Sequence, residues 1–130
     1  MDQKIQNLTF EGQRRHLKAG WDAIRVVVSN QIPATGADYA FLHSLMTDLA
    51  NVVDSFNDLG EDVREAAKAP VTVPLAKAIG LWHCCNIILQ NELEPNKGLQ
   101  ANIIELMAIL APKIDTIREQ KPQKSLILGA

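Results

Sequence analysis

The sequence predicts an all-α protein: four long helices in a bundle, with one additional short helix between the second and third. Three observations carry this reading. Apolar residues recur at three- and four-residue spacing along most of the 130-residue chain. Gln31-Ile32-Pro33, Gly60, Pro70 and the Glu94–Gly98 stretch punctuate those runs. Nothing reads as a strand pair or an internal repeat.

Thr9 is placed to cap a first helix over about residues 10–30, with Phe10, Leu17, Trp21, Ile24 and Val28 on one stripe. Pro33 ends it, because proline disfavours helix at the residue before it. A second helix fits 37–58. Leu42, Leu45, Leu49, Val52, Phe56 and Leu59 follow an a/d repeat that suits shallow packing in a bundle. Gly60 is its stop. Residues 61–69 form the short helix, and Ala69–Pro74 reads as an extended connector.

The third long helix runs over about 74–93, its apolar face led by Leu75, Ile79, Trp82, Cys85, Leu89 and Leu93. The fourth follows Gly98, with Leu99, Ile103, Leu106, Leu110, Ile114 and Ile117 in line. Pro112 lies inside it. Continuing a helix through proline costs about 3 kcal/mol, so a kink or break near Ala111 is expected. The expected division is one helical-bundle domain over 1–121 and a C-terminal tail over 122–130.

A chain of this size buries about two thirds of its unfolded surface, enough for a core without metal or disulfide staples. Charged residues are 22% and the net charge is -2, which argues against disorder and against a general nucleic-acid coat. The most apolar stretch, 78–89, is too short to span a membrane and contains His83 and Asn86. No signal-peptide pattern is visible at the start. The expected location is the cytoplasm, or a particle assembled there. Adjacent Cys84 and Cys85 are too close for an ordinary disulfide and read as reduced core thiols.

The charge is segregated. Residues 30–63 hold no Lys or Arg and six acids: Asp38, Asp48, Asp54, Asp58, Glu61 and Asp62. On the first helix, Arg14, Lys18 and Arg25 fall within about 40° of one another, with Trp21 at the stripe's edge and Arg15 further round. Three uses compete for that stripe: a solvated face paired with the acidic second helix, a protein interface rich in Arg and Trp, or a nucleic-acid contact. Three consecutive apolar residues, Leu126, Ile127 and Leu128, suggest a tail that folds back on the bundle or docks on another subunit.

Catalytic patterns find no foothold. His83-Cys84-Cys85 cannot converge on one ion from a helix, where neighbours point about 100° apart. No Glu-x-x-His motif, nucleophile elbow or glycine-rich phosphate loop is present. No cofactor or metal ligand set is expected, and Trp82 reads as core. The function expected is non-enzymatic: a protein–protein interaction subunit of a larger assembly, docking through Arg14, Lys18, Trp21 and Arg25 or through Leu126–Leu128. A phage or virus particle is the setting suggested by the absence of chemistry and by termini that neighbours would hold. Self or another subunit is the expected partner, with nucleic acid and membrane disfavoured. The alternatives are a small monomeric inhibitor or regulator of one cellular protein, of anti-defence or immunity type, and a helical-bundle enzyme with a site assembled across helices near His83 or His43.

Overall fold

The computed structural model describes the backbone of residues 6–30 and 36–129 and the side chains of 6–30 and 40–118. The chain is mostly helical and also carries a small sheet. Strand β1 (Asn7–Gln13) leads directly into α1 (Arg14–Ser29). Helix α2 (Gly36–Ser55) ends in a 3₁₀ turn at Phe56–Asp58. The short α3 (Glu61–Arg64) precedes β2 (Lys68–Pro74). Helices α4 (Leu75–Gln90) and α5 (Lys97–Gly129) complete the chain. Four long helices and a short one after the second match the expected order.

The sheet corrects the expectation of a purely helical chain. β1 and β2 pair antiparallel from Asn7↔Pro74 to Gln13↔Lys68. Leu8, Phe10 and Gly12 of β1 and Val71 and Val73 of β2 face inward and are buried, while Thr9, Glu11, Pro70 and Thr72 are exposed. That is the period-two pattern of a half-buried sheet. Burying Leu8, Phe10 and the two valines stabilises it by about 1.5–3 kcal/mol each. Thr9 therefore does not cap a helix. It lies mid-strand, and its hydroxyl meets that of Thr72 at 2.7 Å.

Helix α1 packs against α2, α4 and α5. Its inner face is Leu17, Gly20, Ala23, Ile24 and Val27. Gly20 is required where these helices meet: a Cβ there would lie 3.0 Å from Leu106, 3.2 Å from Leu81 and 3.3 Å from Leu49. A second close approach joins α4 to α2, where a Cβ on Gly80 would come within 2.8 Å of the Phe41 ring.

Helix α2 buries Leu42, Leu45 and Leu49 as its repeat predicts. The repeat does not reach Leu59, which is 37% exposed, because the α-helix stops at Ser55 and the 3₁₀ turn carries the chain off the stripe. On α4 the buried line is Ala78, Leu81, Cys85 and Ile88, with Cys84 beside it. Leu75, Ile79, Trp82 and Leu89, expected to lead that face, are only half-buried. On α5, Ile103, Leu106, Leu110 and Ile114 are buried. The helix is not broken at Pro112, and it passes residue 121 without interruption. Pro112 and Ala108 both lie on the exposed side, so water can take the carbonyl bond that the proline N–H cannot make. The side chains of Leu126, Ile127 and Leu128, and the N-terminal arm over 1–5, lie outside the described residues.

Candidate functional site: the polar faces of α1

The junction of β1 and α1 places Gln13, Arg15 and His16 against α5. The Gln13 N–H donates to His16 Nδ1 at 3.1 Å, which satisfies a backbone donor at the start of the helix. With Nδ1 accepting, the ring proton sits on Nε2 and points at Glu105 Oε1, 2.9 Å away. Arg15 reaches the same oxygen from Nη2 at 2.7 Å. Its Nη1 donates to Asn102 Oδ1 at 2.7 Å and its Nε to Gln13 Oε1 at 2.9 Å. The Arg15 guanidinium, then His16, hold the Glu105 carboxyl down at about 2, below the usual carboxylate range. The reciprocal bond to Glu105 raises Arg15.

This cluster walls a groove of about 410 Å³, shared with Glu11, Lys68 and Ile109. It resembles a catalytic His–carboxylate pair in composition only. Both nitrogens of His16 are occupied, and the side chain is only 7% exposed. Geometrically the cluster is a latch from the first turn of α1 to α5. Little in the sequence announces it. Gln13-x-x-His16 has helix-start spacing and could have been read, but nothing near Glu105 marks it as the partner.

The outer face of α1 is arranged differently. Lys18 and Arg25 are about half-exposed, and both turn toward Asp22, at 3.5 and 3.7 Å. The Arg25 guanidinium lies over the half-buried Trp21 indole, 5.9 Å from the ring centre. Arg14 is half-buried, 3.9 Å from Glu65, and its Nε is buried without a partner among the described residues. Arg14, Lys18, Trp21 and Arg25 thus share one stripe, and Arg15 is drawn away from it.

The expected pairing of this stripe with the acids of α2 is absent among the described residues. Asp48 is held instead by Lys77 of α4 at 2.8 Å. Asp54, Asp58, Glu61 and Asp62 are exposed beside Leu59 and Val63, the latter 53% exposed. Asp38 lies outside the described side chains.

The remaining candidates are spread out. His43 is exposed. Trp82 and His83 meet edge to face, with ring centres 5.4 Å apart. They line a groove of about 200 Å³ with Ile114, Asp115 and Arg118, so Trp82 packs against the core and also borders solvent. Cys84 and Cys85 are buried, and burial pushes their thiols up to about 11 and about 12, the wrong direction for a nucleophile. Among the described residues no three His, Cys, Asp or Glu side chains are placed to share a metal ion. No described helix is long and apolar enough to cross a membrane.

The fold and these surfaces define a mostly helical chain with a two-stranded sheet and an open cationic–aromatic stripe on its central helix. No known family model, no curated protein and no solved structure matches it.

Proposed function

We propose that this chain is a non-catalytic protein–protein interaction subunit of a larger assembly, built as a helical bundle that docks through the outer stripe of α1. One observation carries the reading. Lys18 and Arg25 with a partly open indole, and the acidic, partly apolar segment over 54–63, are both exposed, and no ion pair joins them within the chain among the described residues; only Arg14, half-buried, reaches Glu65 just beyond that segment. Arg and Trp are the side chains that most often dominate protein interfaces. Lys18, Trp21 and Arg25 of one copy would meet Asp54, Asp58 and Asp62 of the next, around Leu59 and Val63. Such a contact is heterologous and builds rings or filaments.

Light scattering over a range of concentrations and two salt strengths tests this. The wild type should give masses above 14.3 kDa that fall as salt rises. Lys18→Glu with Arg25→Glu should abolish the salt-dependent part of the association, and adding Asp54→Lys and Asp58→Lys to that variant should restore it. A strict monomer under all conditions, or association indifferent to the reversal, overturns the α1 docking contact.

A further inference from the structure

We propose that the outer edge of β1 pairs with the same edge of a second copy, joining two two-stranded sheets into one four-stranded antiparallel sheet.

The register decides which backbone groups face outward. In an antiparallel pair, positions that exchange both hydrogen bonds alternate with positions that exchange none. The Leu75 N–H donates to the Gln6 carbonyl at 2.8 Å, and this fixes the phase. Leu8↔Val73, Phe10↔Val71 and Gly12↔Ala69 are then the bonding pairs. Asn7↔Pro74, Thr9↔Thr72, Glu11↔Pro70 and Gln13↔Lys68 are not. Three separate features agree. Pro70 and Pro74, which have no N–H, occupy non-bonding positions. The Thr9 and Thr72 hydroxyls approach to 2.7 Å, as side chains do at the closer, non-bonding pairs. The Gln13 N–H, turned away from β2, is free to donate to His16.

The N–H and C=O groups of Asn7, Thr9 and Glu11 therefore point away from β2. No described backbone group bonds to them, and all three residues are exposed. The two edges of the sheet are not equivalent. On β2, Pro70 and Pro74 delete outward donors, a recognised guard against strand addition. β1 carries neither proline nor lysine. The β2 edge lacks two donors, whereas the β1 edge keeps all of its own, with α5 as the helix packed against that strand.

The occupant follows from the symmetry of the open edge. A two-fold axis through Thr9 sets Thr9 opposite its own copy and Asn7 opposite the second copy's Glu11. All three pairings fall in the bonding phase, giving about six backbone hydrogen bonds. On the solvent face the Asn7 amide then meets a carboxylate, with no like charges opposed. Shifting the axis to Glu11 would oppose two carboxylates and call on the Gln13 N–H that His16 already uses. This isologous interface uses none of the α1 stripe, so its failure and that of the proposed docking contact are separable.

The test sets one substitution on the open edge against its mirror on the blocked edge. Thr9→Pro and Thr72→Pro both remove the hydroxyl contact, and neither deletes a ladder donor. By light scattering in high salt, where the charged α1 contact is screened, the wild type should settle at twice 14.3 kDa rather than at the monomer mass. Thr9→Pro should weaken dimerisation at least about tenfold while Thr72→Pro leaves it nearly unchanged. Circular dichroism checks that both variants fold. If Thr9→Pro does not, amide hydrogen exchange of the wild type decides: the Thr9 and Glu11 amides should slow as concentration rises while Thr72 does not. A wild type that stays monomeric to millimolar concentration overturns the proposal. So does a folded Thr9→Pro that still dimerises, equal loss in both variants, or a dimer whose Thr9 and Glu11 amides exchange freely.

Discussion

Helix α1 carries two sets of polar side chains with opposite fates. Arg15 and His16, in its first turn, turn inward along α5 and close on Glu105. Lys18 and Arg25, one and three turns further on, stay in solvent around Asp22 and Trp21. Residue type does not separate them, since Arg15 and Arg25 are chemically identical. The difference lies in rotation about the helix and in what the neighbouring helix offers. Glu105 and Asn102 stand within reach of Arg15. The nearest acid to Arg25 is on its own helix, at 3.7 Å. A charged group that meets a partner from a distant element becomes part of the fold, and one that meets only its own helix remains available to a second molecule.

The largest effect is expected from His16→Ala. The substitution removes the acceptor for the Gln13 N–H, the bond to Glu105 and a buried ring at once. We expect a loss of about 2 kcal/mol, from a missing helix-start contact and an unmade hydrogen bond together. Urea unfolding followed by circular dichroism measures it. A change below about 0.5 kcal/mol, the size of an ordinary surface effect, would remove the latch from the account.

What could be read from the sequence divides along the same line between local and distant. The stripes of α2 and α5 were legible because a helix decides its own buried face: Leu42, Leu45 and Leu49, and Ile103, Leu106 and Leu110, are where their spacing puts them. β1 was not legible, although Leu8, Phe10 and Gly12 alternate as a strand should. Phe10 also lies at helical spacing from Leu17 and Trp21, and a short segment satisfies both periods. Only β2 breaks the tie, and Val71 lies opposite Phe10 from far along the chain. Pro70 and Pro74 made β2 look like a connector, yet at an edge they fill positions that need no donor. Glu105 was invisible for a related reason. An exposed-looking glutamate on a polar helix face is ordinary until the fold sets Arg15 and His16 against it.

A second, smaller effect follows from the charge on Glu105. A carboxyl held at about 2 in the folded chain, and at its ordinary value when unfolded, stabilises the fold above the ordinary carboxylate range. That contribution is lost as pH falls toward the folded value. The wild type should therefore be more stable than Glu105→Gln at pH 7, and the two should converge as pH drops through about 4 toward 2. Denaturant midpoints across that range test the sign. Because Glu105 is half-exposed, solvent screens the pair and the gap is modest. A gap that does not narrow on acidification would mean that Glu105 acts through hydrogen-bond geometry rather than charge.

The smallest effect on stability is expected from the outer stripe, where the contrast with the latch is most informative. Lys18 and Arg25 sit at 3.5 and 3.7 Å from one shared carboxylate, with about half of each side chain in water. Exposed pairs of this kind contribute about 0–1 kcal/mol, and here two cations divide a single anion. Reversing both to Glu places two carboxylates around Asp22, a repulsion that solvent screens to a few tenths of a kcal/mol each at helix spacing. The Trp21 ring keeps its packing against the core, so burial is preserved. The double variant should unfold within about 0.5 kcal/mol of the wild type, while its salt-dependent association through α1 is lost. A loss of more than about 1 kcal/mol would place the stripe with the latch, as part of what holds the chain folded. The stripe would then no longer be a surface the fold leaves free, and the division of α1 into an inner and an outer function would fail.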